Sequence, residues 1–508
     1  MIGGKRLLFA PQVRPAPIFI ILALALGLAV TLLPLDLAAF GLALAVLVLL
    51  AIIEPVNGIV ILLLVAPLKA LIETEATIDL PLDVGQIALL CALLAWAANR
   101  IILRRPIRLE GSAVQLPLLL IVGAALLSLP GALSASAVIT ETLKWTEMLV
   151  LVSLCLVLFR RATVEWLVFA LVLAGALQAS IGLYEFFGGS GAEHLRILDR
   201  FFRAFGTFGQ PNPFGGFLGL ILPFAALGSV GHIVTLWQRL RGQAWRPARL
   251  WQDETQRQHA LWAGFYLAAF GLIAAGLVAS WSRGAWMGFA GSAVVMLLFV
   301  PRSLLKGLAV AAVIVVLGLA AWAGDLLPDS LQTRMSGFVD ELTTIEDVRG
   351  VDITDSNYAV TERIAHWQAA VGMATDHPWL GVGFGNYEVA YPAYALLNWP
   401  NALGHAHNYY LNLLAEVGIV GLAAYLIAWG TIFILTIQLW WRSEGLARAW
   451  CIALLGAWAY LTIHNAVDKL YVNNIFLHLG CMLGLLAILR SAAPDHTRQE
   501  ERAAYASW

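Results

Sequence analysis

Two histidines one residue apart, His405 and His407, stand with Asn408 in the run LGHAHNYYLNLLAEVG, immediately before a long apolar stretch. Imidazole is the side chain best matched to moving a proton near neutral pH. In that position His407, with a neighbour such as Asn408 fixing its tautomer, is a candidate general base for an attacking hydroxyl. Two bland alternatives stand beside it: a loop histidine that merely caps the following helix, and a metal ligand. Asp376, His377 or Glu388 could complete a metal set, but His-x-His without partners at fixed spacing is a weak metal signal. No metal site is therefore assigned.

Two further runs carry cations at unusual places. RFFRAFGTFGQPNPFGG holds Arg200, Arg203, Gln210 and Asn212 ahead of a helix that Pro213 can open at its first turn. Guanidinium groups and helix N-termini both suit phosphate oxygens. For Arg200, anchoring at lipid headgroups is the preferred reading. SWSRGAWMG puts Arg283 in a turn of a few residues between two apolar helices, with Gly284 and Gly288 allowing close helix approach. There a guanidinium must snorkel or find an anion.

Gly381, Gly383 and Gly385 lack the strand-turn-helix setting of a nucleotide loop and read as a tight turn. His464 and His478 read as packed or interfacial, and Asp468 with Lys469 as a solvated pair. Trp399, Tyr409 and Tyr410 could stack on sugar rings, with interfacial anchoring the plainer role.

Composition dictates the elements that hold these groups. The 508 residues are 60% hydrophobic and 12% charged, with a mean hydropathy of +0.80. Apolar runs near 20 residues recur along the chain, so an all-α polytopic transmembrane bundle is expected. The expected spans are 16–34, 36–53, 57–72, 84–99, 114–131, 145–159, 164–186, 212–233, 260–279, 284–300, 304–323, 408–440, 447–464 and 470–490. That gives 12–14 crossings, depending on the first few. The basic N-terminal stretch and the apolar run behind it read as an uncleaved first helix. With the N-terminus inside, 21 of the 31 Lys and Arg fall on the cytoplasmic side, as the positive-inside rule requires. Both termini are then cytoplasmic, and Arg203, Arg283 and Arg363 lie outside.

The long segment 324–407 is expected to be extracytoplasmic, too long for an idle connection. Ile364, Trp367, Ala370, Val371 and Ala374 recur at helical spacing there, up to His377-Pro378. They predict an amphipathic helix capping a cavity. The net charge of −1 argues against a nucleic-acid partner. Four cysteines in apolar spans indicate no disulfide framework. No internal repeat of the kind found in duplicated transporters is visible, and mid-span charges are scarce, which disfavours a flippase.

Together, FRAFGTFGQPNPFGGFL, SRGAWMG, ERIAHWQAAVGMATDHPWLGVGFGNY and HAHNYYLNLLAEVGIVGL resemble the O-antigen ligase and polymerase superfamily of polytopic membrane glycosyltransferases. The resemblance is strongest over about 200–430, taken as the catalytic region of a single membrane domain spanning 1–508. It implies en bloc transfer of an undecaprenyl diphosphate-linked glycan to a glycan, lipid or protein acceptor. The reaction would take place on the periplasmic side of a bacterial inner membrane, without a cofactor. Within it His407 matches the essential histidine, and Arg203 and Arg283 match the arginines that hold the diphosphate. Arg363 matches a recurrent arginine; His405, Asn408, Gln210 and Asn212 are secondary candidates. The run GQPNP is similar to the pilin-glycosylating branch as much as to the lipopolysaccharide ligases. That leaves ligase, repeat-unit polymerase and protein glycosylation open.

Overall fold

The computed structural model describes residues 46–75, 82–189, 191, 193–197, 200–241, 253–326, 332, 347–354 and 357–491. The expected span 16–34 and most of 36–53 lie outside the described residues. The described chain is almost wholly helical. Its helices are α1 (Val56–Val65), α2 (Lys69–Glu75), α3 (Val84–Ile102), α4 (Gln115–Leu127), α5 (Ala135–Leu158), α6 (Val164–Gly188) and α7 (Pro211–Leu240). There follow α8 (Glu254–Ala279), α9 (Arg283–Phe299), α10 (Leu304–Ala323), α11 (Tyr358–Asp376), α12 (Tyr387–Tyr394), α13 (Tyr409–Arg442), α14 (Gly445–His464) and α15 (Ile475–Ser491). The sheet content described is a two-residue antiparallel pair, Arg196–Ile197 against Phe201–Phe202.

Eight described helical segments are long and apolar enough to cross a membrane, and three shorter apolar helices accompany them. The protein is thus an all-α, multi-pass membrane protein. Helix α10 shows the character directly: Leu305, Val313, Val316 and Leu319 are all exposed on it, as a lipid-facing surface requires. Helix α5 begins earlier than expected and takes in the run 135–144, which lies between the expected spans 114–131 and 145–159. It accommodates Glu141 and Lys144 because the two pair with each other and Glu141 also binds Lys469.

The chain divides into two compact units. In one, residues 46–61 pack with 89–107: Asn99 donates to the Ile52 carbonyl at 3.0 Å, and Gly58 lies against Ala92. The other holds residues 62–88 and everything from 108 onward. At its centre α7 packs on α8 and α14, and α9 packs on α14. Close approach here depends on small residues. A Cβ on Gly219 would fall 2.0 Å from the Tyr460 ring, so α7 and α14 meet backbone to aromatic face.

The amphipathic helix expected from the spacing of Ile364, Trp367 and Ala370 forms as α11 and ends before Pro378. Beyond it, the glycine-rich run 381–385 is the expected tight turn, and it locks onto a break in α13. Val382 and Gly383 donate to the carbonyls of Ala415 and Glu416, while Ile419 donates to that of Pro378. Gly418 has φ 63° and ψ −164°, a region open to glycine alone. Its missing side chain lets the Trp379 backbone approach; a Cβ would sit 2.3 Å from that carbonyl carbon. Gly418→Ala should therefore cost at least ~1–3 kcal/mol, read as a lower melting temperature in detergent. Gly430→Ala, with open space around it, should leave melting unchanged or raise it slightly.

Candidate functional site

Arg203 is placed by the loop before α7. Its backbone N–H donates to Leu195 O at 2.9 Å and that of Ala204 to Ala279 O at 3.0 Å. Next to it, Glu185 accepts from the N–H groups of Phe205 and Gly206. With its backbone pinned, the guanidinium donates from Nε to Ser280 O at 3.1 Å and from Nη2 to Asn212 Oδ1 at 3.3 Å. Helix α7 starts at Pro211, two residues earlier than Pro213 suggested. Asn212 consequently lies inside the first turn. Two prolines are tolerated there because the first N–H groups of a helix have no intrahelical acceptor.

Arg283 opens α9, where Ser282 caps the helix by accepting from Ala285 N. These residues share a cavity of about 60 Å³, lined by Arg203, Asn212, Arg283, Arg363, His464 and Asp468 among others. Arg363 is carried there by α11, one turn below the Ala359 carbonyl that accepts from its Nη1 at 3.3 Å. Gln210 is exposed and sits outside this lining.

His407 reaches the cavity through Asp468. The two histidines stand on a turn in which Leu403, Gly404 and His407 all have positive φ, 51° at His407. A left-handed non-glycine backbone stores roughly 1–3 kcal/mol. The turn is held by Ala406 N donating to Asn412 Oδ1 at 3.1 Å and Tyr409 N donating to Asn465 O at 2.8 Å. His405 Nδ1 accepts from the His407 N–H at 3.1 Å, so its Nε2 carries the proton and faces Asp468 Oδ1 at 3.7 Å. His407 Nδ1 also lies 3.7 Å from Asp468 Oδ1. That distance suits an ion pair and is too long for a hydrogen bond. Both ring nitrogens of His407 are buried without a hydrogen-bond partner.

Three sequence expectations need correction. Asn408 does not set the His407 tautomer; its side chain caps α13 by accepting from Tyr410 and Leu411 N. Asp468 and Lys469 are not a solvated pair but are 7% and 6% exposed. Lys469 reaches Glu141 at 3.1 Å instead and lies over the Tyr409 ring. Trp399 and Tyr409 are buried in the protein. Asp468 is the functional candidate that sequence reading missed. Its only signal was its closeness to His464, since loop carboxylates are common.

Charge in this cluster is set by mutual proximity. Burial pushes the Asp468 carboxyl up, but nearby His407, His405 and His464 outweigh it and hold the group well below the ordinary carboxylate range. Burial also works against Lys469, and Glu141 with Glu416 reverses it, so the ammonium stays charged. Burial and then the neighbouring His407 lower His405 to about 3 and His366 to about 4. His366 is further tied to the Tyr387 hydroxyl at 2.9 Å and stacks on Tyr391.

His405, His407 and Asp468 place three ligand atoms within 4.8 Å of one another and could hold a metal ion. The acid joining the two histidines is Asp468, in place of the Asp376, His377 or Glu388 considered from sequence. What the arrangement offers without an ion is a base beside a fixed anion, next to a pocket of cations. Residues 268–426 match the family model described as O-antigen ligase. That match supports the O-antigen ligase superfamily. It covers α9, α11 and the His405–His407 turn, and hence Arg283, Arg363 and His407; Arg203, His464 and Asp468 lie outside it. A search of the curated proteins finds no match. The superfamily suggests a membrane glycosyltransferase of the ligase or polymerase type.

Because His366 and His405 stay neutral when folded but take a proton near pH 6.5 when unfolded, the unfolded state binds more protons in acid. Stability should therefore fall as pH drops from about 6.5 toward 4. Melting temperatures in detergent across that range should show the decline, and His405→Gln should flatten it.

Proposed function

We propose that this protein transfers an oligo- or polysaccharide from an undecaprenyl diphosphate carrier to an acceptor hydroxyl at the periplasmic face of a bacterial inner membrane. One observation carries the reading: Arg203 and Arg283, distant in sequence, line the same cavity as Asp468, and Asp468 contacts His407. The termini would then be cytoplasmic, and the segment 324–407 would face outward with α11 over the pocket.

The chemistry follows from the residues. The bond from the anomeric carbon to the diphosphate is already activated, so catalysis needs positioning, a base and compensation of charge on the departing diphosphate. The acceptor oxygen bonds to the anomeric carbon as the carbon–oxygen bond to phosphate breaks. The hydroxyl proton passes to His407, and the electron pair leaves with the diphosphate. Asp468, held ionised, stabilises the imidazolium that forms. Arg203 and Arg283 offset the leaving charge, with Arg363 as a third cation. In a poorly hydrated pocket such pre-placed donors act strongly. Transfer to a lipid core sugar, to a growing repeat-unit chain or to a protein serine would all use this geometry. The acceptor class is a separate matter, decided by product analysis.

The test is transfer from a purified lipid-linked glycan to candidate acceptors in detergent. His407→Ala should lower the rate by ~10²–10⁴, and Arg203→Ala and Arg283→Ala should abolish detectable transfer, all with normal membrane insertion. Full activity in any one of them removes that residue from the mechanism. Asp468→Asn should reduce turnover with little change in donor affinity. Chelator should leave the wild-type rate unchanged; loss restored by a divalent ion would instead assign the His405, His407 and Asp468 set a metal.

A further inference from the structure

His464 closes α14 and is 1% exposed, yet it lines the arginine cavity. Its ring is wedged between the early turns of two helices. A Cβ on Gly284, at the start of α9, would lie 3.7 Å from its Cε1, and one on Gly216, early in α7, 3.5 Å from its Nε2. The neighbouring hydroxyl fixes the tautomer. Tyr460 donates its proton to the Gly215 carbonyl at 3.0 Å, so the same oxygen can only accept from His464 Nδ1, 3.3 Å away. Nδ1 therefore carries the hydrogen, and Nε2 presents a lone pair. That nitrogen is buried with no hydrogen-bond partner.

An unpaired buried nitrogen is costly, and one placed between two helix N-termini among arginines calls for an anion with a proton to share. We propose that His464 binds the phosphoryl group of the substrate: Nε2 takes up one proton as the diphosphate enters and donates it in a hydrogen bond to a phosphoryl oxygen. The proton comes from solvent, and no covalent bond to the protein forms. The groups facing the ring are Arg203, Arg283 and Arg363, whose charge works against protonating it, the Asp468 carboxylate, whose charge works the other way, and the Tyr460 hydroxyl. Entry of a dianion adds its charge to that of Asp468 and favours the protonated ring. The inference rests on the diphosphate reading of the cavity and adds a donor that His407, the proposed base, does not supply.

Inorganic pyrophosphate is the probe, titrated calorimetrically into full-length protein in detergent between pH 5.5 and 8.5. Buffers of different ionisation enthalpy give the protons taken up. Wild type should bind with uptake of up to one proton and weaken as pH rises. His464→Phe should bind at least tenfold more weakly. His464→Gln, whose amide donates at every pH, should retain binding but lose the protein's share of the uptake. Matching melting temperatures check that both variants fold. Unchanged affinity in His464→Phe, or unchanged proton uptake in His464→Gln, overturns the proposal. If Arg203→Ala and Arg283→Ala weaken binding while the His464 variants do not, only the role of His464 fails. If wild type binds no pyrophosphate, or the arginine variants bind it equally well, the diphosphate cavity itself falls and this proposal with it.

Discussion

A carboxylate buried among imidazoles organises the candidate site. Asp468 sits 3.7 Å from both His405 and His407 and shares a cavity with three arginines. An isolated buried carboxylate would take up a proton or force the fold apart. Here nearby His407, His405 and His464 hold it well below the ordinary carboxylate range, and the same proximity leaves His407 beside a fixed anion. The strained backbone at His407 persists because the surrounding bonds over-determine it. His405 takes its N–H, and Asn412 and Asn465 tie the residues on either side.

The loop 465–474 bearing that carboxylate is fastened from beneath. Lys469 reaches Glu141 on α5, Leu470 N donates to the Asn465 side chain, and Asn465 also donates to Tyr425. Breaking such a pair would leave an uncompensated buried charge, a loss far larger than that of an exposed ion pair. Adjacent residues thus divide the work, one facing the cavity and the other anchoring the turn. Helices α5, α13 and α14 converge on this turn, which couples the position of Asp468 to the packing of the bundle.

The cation pocket obeys a different constraint. Arg203 and Arg283 stand at the entries of α7 and α9, where backbone N–H groups already favour negative charge. Cations at that position favour a bound anion, and His464 adds a buried nitrogen without a hydrogen-bond partner. Glycines at 216 and 284 let the loop after α14 pack close, because a Cβ at 216 would fall 2.2 Å from Leu470 and one at 284 would fall 2.8 Å from Val467.

Periodicity and length in the sequence already determined the class: recurring apolar runs cannot be solvated, so they form membrane helices. Local rules also held for α11, whose apolar spacing and terminal Pro378 are chemistry of the chain itself, and for the tight turn at 381–385. The candidates Arg203, Arg283 and His407 stood out because cations and paired imidazoles are rare beside apolar runs. Tertiary structure alone decided their company. Asp468 lies 61 residues from His407 in sequence, and nothing local marks a loop carboxylate as buried. The partner of Lys469 is Glu141 on a distant helix, so sequence neighbours read as a solvated pair became two separately buried charges. His464 gave no signal beyond a position at a helix end, since an orphaned nitrogen exists only once three helices have closed around it.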